Sequence, residues 1–186
     1  MGIVLLIATI GLLLFIITLK KEKKEKWKEF KTPEEYIEFL KPHVEFVNSL
    51  GMDRRIPIAH SALEIGWGKY PIKDCKTGKN SFNLFGIKWR KGCLIENYVT
   101  TLTKEWDKEK QEYVSIYATF RAYKTIKESI EDYINLIRNR YPESWKNRSD
   151  YIAYFKWLQA EGYATEKEFA NLLISIVDTR LKNIRR

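Results

Sequence analysis

Apolar residues recur three and four apart in three stretches of the chain, and each stretch follows a threonine with glutamate three positions on. Thr32-Pro33-Glu34-Glu35 offers an N-cap, a proline at the first helical position and a glutamate at N3. Tyr36, Ile37, Phe39, Leu40, Val44, Val47 and Leu50 then follow at helical spacing, and Gly51 stops the run. Thr125-x-x-Glu128 opens a second stripe of Ile126, Ile130, Tyr133, Ile134 and Ile137, which ends before Pro142. Thr165-x-x-Glu168 opens a third, of Phe169, Leu172, Leu173, Ile176 and Val177. Shorter helices are expected over 58–67 and 150–160.

Residues 84–120 carry a different pattern. Segments 84–88, 96–103 and 112–120 are rich in Val, Ile, Thr and Tyr, with 107–111 as a polar turn. A small antiparallel hairpin is expected there. The outline is a mainly helical α+β domain over 32–186 with a β element inserted in its middle.

The first residues stand apart. Residues 3–19 hold no charge, and only Thr9, Gly11 and Thr18 interrupt Ile, Leu, Val, Ala and Phe. As a helix this run would span about 26 Å, at the lower limit for crossing a hydrocarbon core. A single transmembrane helix over 1–19 is therefore expected to precede the domain, with the bilayer as a partner through 3–19. An uncleaved anchor is favoured over a cleaved signal, since no basic residue precedes the run and no small-residue cleavage site follows it. Residues 20–31 hold seven Lys against three Glu and read as a basic juxtamembrane stalk. That flank would stay cytoplasmic by the positive-inside rule.

The 186 residues leave room for one ordinary domain plus a tail. Two cysteines exclude a disulfide-dense scaffold and a four-thiolate zinc site, and His43 and His60 alone exclude a histidine-rich metal centre. No organic cofactor motif is present. The net charge of +9 favours an anionic partner. Interleaved glutamates in the basic stretch, and the lack of any zinc-finger or recognition-helix pattern, argue against nucleic acid.

One acidic residue stands out. In Ala62-Leu63-Glu64-Ile65-Gly66-Trp67-Gly68-Lys69 the glutamate is flanked by apolar residues, near the C-terminal end of the expected helix. Apolar surroundings and that end of the helix dipole both disfavour a carboxylate's charged form. A retained proton is what a general acid for a glycosidic oxygen needs. An ordinary half-exposed helical glutamate fits the same pattern.

The block Ala62-Leu63-Glu64-x-Gly66-Trp67-Gly68-Lys69, followed by Asn83-Leu84-Phe85-Gly86-Ile87-Lys88, resembles the glucosaminidase family of peptidoglycan hydrolases. Phe120-Arg121-x-Tyr123, Arg140-Tyr141 and Gly162-Tyr163-Ala164-Thr165 continue the likeness in the family's order. The resemblance implies a lysozyme-like fold, with a groove between a helical lobe and a small β-hairpin lobe. It also implies cleavage of the β-1,4 bond between N-acetylglucosamine and N-acetylmuramic acid, with peptidoglycan glycan strands as the partner. Glu64 takes the position of the family's acid and Tyr163 that of its tyrosine. The second carboxylate maps best to Glu105, in Thr103-Lys104-Glu105, with Glu96 and Glu109 as neighbouring alternatives. The family usually has glutamine where His60 stands, one helical turn before Glu64.

Asn83, Phe85, Trp89, Tyr123 and Tyr141 are candidates for the sugar groove, and Arg121 leans toward an internal role. Cys75 and Cys93, 18 residues apart, would close a loop around the Asn-Leu-Phe-Gly block in an oxidising compartment. The expected function is that of a membrane-anchored endo-β-N-acetylglucosaminidase, an autolysin or a phage lysin on the wall side of a membrane. A lytic transglycosylase or muramidase on the same fold, or an inactive wall-binding module, are the alternatives.

Overall fold

The computed structural model describes residues 26–107 and 110–184, with the side chains of 105–107 left undescribed. Six helices and one hairpin make up its regular structure: α1 Pro33–Val44, α2 Arg55–Glu64, β1 Tyr98–Asp107, β2 Glu112–Arg121, α3 Ile126–Arg140, α4 Pro142–Lys146, α5 Tyr151–Ala160 and α6 Phe169–Arg180. A 3-10 turn, Glu45–Leu50, continues α1.

Two of the three threonine signals work as expected. Thr32 Oγ1 accepts from Glu35 N at 3.2 Å, and Thr125 Oγ1 accepts from Glu128 N at 3.1 Å. The third does not. α6 begins at Phe169 without a side-chain cap from its own preceding residue. Gln159 of α5 supplies it instead, its Oε1 accepting from Ala170 N at 2.8 Å. A neighbouring helix thus satisfies one of the orphan donors at the start of α6, in place of the cap expected from Thr165.

α2 is the central element. Every residue from Arg55 to Ala62 is buried, so the helix has packing partners all round rather than on one stripe. It starts at Arg55, three residues earlier than expected, on a buried ion pair in which Arg55 Nε donates to Asp53 Oδ1 at 2.9 Å. It ends at Glu64, three residues earlier than expected, because Gly66, Trp67 and Gly68 all take positive φ (55°, 58° and 77°). Only glycine enters that region cheaply. Trp67 is held there by its ring, which packs edge-on against Tyr36 at 6.4 Å, and by Trp67 N donating to Ala62 O at 3.0 Å.

The hairpin is antiparallel, with Val99 opposite Phe120, Thr101 opposite Ala118 and Thr103 opposite Ile116. Val99, Phe120 and Ala122 form a small core of their own, with Ile72 and Ala118 against it. Segment 84–88 is not a third strand. It is a turn that touches β2 through one bridge, Lys88 to Phe120.

Several expectations are corrected. No helix among the described residues is long and apolar enough to cross a membrane, and the run 3–19 on which the expected transmembrane helix rested lies outside them. The fold class of the described residues is the mainly helical body with a hairpin lobe. The anchor, the bilayer as partner and the single-pass location rested on that run, and no described helix supports them. The end of the expected stalk is packed on the body: Phe30 is buried, with its ring 5.2 Å from Tyr36 and 5.7 Å from Trp27. Cys75 and Cys93 are both free thiols. Cys75 lies in an exposed turn tied to β1 (Cys75 N to Thr100 O, 2.8 Å), while Cys93 Sγ is directed to Ile95 O at 3.1 Å, so the expected bridge is not made.

Candidate active site

Glu64 ends α2 at the mouth of a groove between the helical body and the hairpin. Its side chain keeps 29% of its surface exposed, so it is neither a core residue nor a free surface one. The groove has two halves that meet at Glu64, Gly86 and Lys88. One half, about 360 Å³, runs along Phe85, Tyr141 and Tyr163 and carries Arg90, Arg121 and Arg140. The other, about 570 Å³, runs under the hairpin past Tyr70, Ile72, Thr101, Thr103 and Phe120. Among the described residues, Glu64 is the only carboxylate lining either half.

The turn facing Glu64 is built by Asn83. That side chain is buried, and its amide nitrogen donates to Ile87 O and to Arg121 O, both at 2.9 Å. Its Oδ1 accepts from Ile87 N at 3.1 Å and from Phe85 N at 3.3 Å. With every polar atom engaged, Asn83 shapes the groove wall from behind, which corrects its expected place on the sugar. It delivers Gly86 at φ 62°, directly across from the acid. Asp74 fastens the other side of the lobe: Thr77 N, Thr77 Oγ1, Lys76 N and Thr100 N all donate to its carboxylate. Those bonds, led by the ones from Thr77 and Thr100, hold its carboxyl at about 2.

Behind Glu64 the interior is aromatic and polar. His60, one turn back on α2, is fully buried, with Nε2 3.5 Å from Glu64 Oε1. Its Nδ1 lies 2.8 Å from Tyr133 Oη, and Tyr133 Oη lies 2.8 Å from Tyr154 Oη. The rings of Phe85, Tyr133, Tyr163 and Phe169 surround the imidazole at 4.9–5.8 Å. Phe85 stacks flat on Tyr133 at 4.0 Å. Burial first, and the Glu64 charge second, hold the Tyr163 hydroxyl protonated well above its ordinary range.

The remaining candidates divide. Tyr141 and Tyr163 share one wall, their rings 5.3 Å apart, and Phe85 lies beside them with only an edge reaching the groove. Trp89 lines neither half: its Nε1 donates to Ile95 O at 2.9 Å and its ring leans on Tyr98. Tyr123 is buried, and its hydroxyl donates to Asp132 at 2.7 Å. Arg121 donates to both oxygens of the same carboxylate at 2.9 and 2.7 Å. Trp89 and Tyr123 are therefore fold residues in this arrangement. Glu105 occupies β1 opposite Val114, two residues beyond Thr103, and its side chain lies outside the described residues. Glu96 lies in the segment before β1.

Sequence reading missed the cations of the groove, Lys88, Arg90 and Arg140, and the tyrosine pair behind His60. Lys88 and Arg140 were in view only as parts of motifs. Nothing local connects His60 to Tyr133, 73 residues on.

The model of the family described as mannosyl-glycoprotein endo-beta-N-acetylglucosaminidase matches residues 40–181. The peptidoglycan hydrolase FlgJ of Vibrio parahaemolyticus is 28% identical over 151 residues, 80% of this chain and 47% of that protein. The chain thus spans about half the length of that relative. A peptidoglycan hydrolase mutant from Sphingomonas sp. A1 superposes with a TM-score of 0.68 at 29% identity, covering 80% of this chain and 94% of the other. The C-terminally truncated glycoside hydrolase domain from Salmonella typhimurium FlgJ gives 0.67 at 25% identity, covering 83% of this chain and all of that one. The ordered motif blocks run through the same span as the family match. On these grounds the chain belongs to the glucosaminidase family, within the lysozyme-like superfamily.

Proposed function

We propose that this protein is a glycosidase that hydrolyses peptidoglycan as an endo-β-N-acetylglucosaminidase, with Glu64 as its general acid. The observation that carries the reading is the position of Glu64 as the one described carboxylate at the junction of both groove halves. An extended glycan strand threaded through the groove passes its scissile bond over that carboxyl. Lys88, Arg90 and Arg140 along the path suit an anionic wall polymer. The relatives named as peptidoglycan hydrolases support the same substrate class.

In the reaction, Glu64 gives its proton to the glycosidic oxygen as the bond from the sugar C1 breaks, and the bonding pair leaves with that oxygen. The positive charge that grows on the ring needs an anion or a nucleophile. Glu105 is assigned that part, as base for water or as an electrostatic partner. Its place on β1, two residues beyond Thr103 of the groove, supports the assignment. Tyr163, a protonated hydroxyl close to Glu64, orients the 2-acetamido group.

The experiment uses the full chain and a Glu64→Gln partner on reduced peptidoglycan, with released fragments read by mass spectrometry. New reducing ends on N-acetylglucosamine from the unmodified protein alone are the expected result. Anhydro-muramyl ends would instead mark a lytic transglycosylase. Silence from both proteins, with wall binding kept, would leave a binding module.

A further inference from the structure

His60 Nε2 is fully buried and has no hydrogen-bond partner within the described residues, although Glu64 Oε1 stands 3.5 Å away. Such an atom in the interior costs free energy unless something uses it. Hydrogen counting along the buried chain Glu64–His60–Tyr133–Tyr154 shows what does. Tyr154 is fully buried, and among the described residues its hydroxyl meets only Tyr133 Oη. If His60 carried its proton on Nδ1, it would donate to Tyr133, Tyr133 would donate to Tyr154, and the Tyr154 proton would have no acceptor. The Nε2 lone pair would then face the Glu64 carboxylate. With the proton on Nε2, every hydrogen is placed: Tyr154 donates to Tyr133, Tyr133 donates to His60 Nδ1, and Nε2–H points at Glu64 Oε1.

We infer that His60 is a positioning residue for the acid: its Nε2–H occupies Glu64 Oε1 and leaves the catalytic proton on Oε2, the oxygen that faces Gly86 and the groove. This rests on the reading of Glu64 as general acid. Oε2 is the atom that a side chain at Gly86 would meet, at 3.0 Å. When Oε2 gives up its proton the carboxylate becomes anionic, and the Nε2–H bond strengthens with the charge it faces. His60 itself gains and loses no proton. The long 3.5 Å separation is the resting state, and it shortens as the charge forms. The titratable groups around the imidazole are Glu64 on its own helix, Tyr133 of α3 and Tyr163 before α6. Phe85 and Phe169 supply only apolar rings.

Two measurements on the full chain test this. Long-range proton–nitrogen NMR of the imidazoles should show His60 with a pyrrole-like Nε2 and a pyridine-like Nδ1. The reverse pattern would overturn the assignment without reference to activity. In kinetics, Tyr133→Phe deletes the donor to Nδ1 and keeps the ring, and His60→Leu deletes the bond outright. The expected loss for His60→Leu is about ten- to a hundred-fold in kcat with KM unchanged, the scale of one hydrogen bond to a charged group. His60→Gln, whose amide can accept from Tyr133 and donate to Glu64, should restore most of it. Tyr133→Phe should lower kcat several-fold at the same KM, and it remains informative if His60→Leu does not fold. Full activity in Tyr133→Phe, or failure of glutamine to rescue in a folded protein, would sink the role. Should the unmodified protein hydrolyse nothing while the Nε2–H form is seen, the glycosidase reading fails and the hydrogen-bond assignment stands.

Discussion

Gly86 lies so close to Glu64 that a Cβ built on it would stand 3.0 Å from Oε2. The glycine is therefore required twice, once by its φ of 62° and once by the space the acid needs. Gly86→Ala should cost about 1 kcal/mol in stability through backbone strain. Its effect on turnover should be far larger, a fall of about tenfold or more in kcat, because the new methyl occupies the approach to the proton-bearing oxygen. Thermal melts beside peptidoglycan release assays on the same preparation check the split. A variant that loses stability and activity in proportion would refute it.

The Gly66-Trp67-Gly68 turn makes a second, purely structural forecast. A Cβ at Gly68 meets Phe30 at 2.5 Å and Tyr36 at 2.8 Å, and Tyr36 is fully buried. A Cβ at Gly66 meets the Tyr70 ring at 2.5 Å, but Tyr70 is 75% exposed and free to swing away. Both positions have positive φ, 55° at Gly66 and 77° at Gly68, so the clash is the main difference between the variants. Gly68→Ala should destabilise by about 3 kcal/mol or more and Gly66→Ala by about 1–2, read as urea midpoints at constant m-value.

Much of this architecture was legible in the chain, and its gaps have physical causes. The threonine caps at Thr32 and Thr125 act within four residues, so sequence carries them in full. The cap on α6 comes from Gln159 of another helix, which no local pattern encodes. Glu64 was visible because its neighbours are apolar and its block resembles that of the family. Asn83 and Tyr123 looked like groove residues, since polar and aromatic side chains in a motif suit a ligand equally well. Only their hydrogen bonds, to the chain's own carbonyls and to Asp132, turn them inward. The tyrosines behind His60 resemble plain core in a one-dimensional reading.

Asn83 offers a test of that distinction. Asn83→Ala strands the carbonyls of Ile87 and Arg121 and the amides of Phe85 and Ile87 in a buried turn. The expected destabilisation is about 2–4 kcal/mol. Substrate affinity of the fraction that remains folded should barely change, because the side chain touches no groove surface. Denaturant titration and a binding isotherm on insoluble peptidoglycan separate the two. A large rise in dissociation constant at unchanged stability would return Asn83 to the sugar.

Asp74 contributes to the acid side of the stability profile. Its carboxyl is held at about 2 by four donors, against about 3.9 in an unfolded chain. A folded value below the unfolded one means stability that is complete above about pH 4 and drains away as pH falls toward 2. What is lost is the tie between the 74–79 turn and Thr100 at the root of the hairpin, the segment that continues into Thr101 and Thr103 of the groove. The Thr77 and Thr100 amides should therefore gain hydrogen-exchange rate between pH 4 and 2, relative to amides of α2. Asp74→Asn should show that faster relative exchange already at neutral pH and flatten the acid-side trend. A wild-type and a variant profile that coincide would show that the carboxylate is not what fastens the lobe.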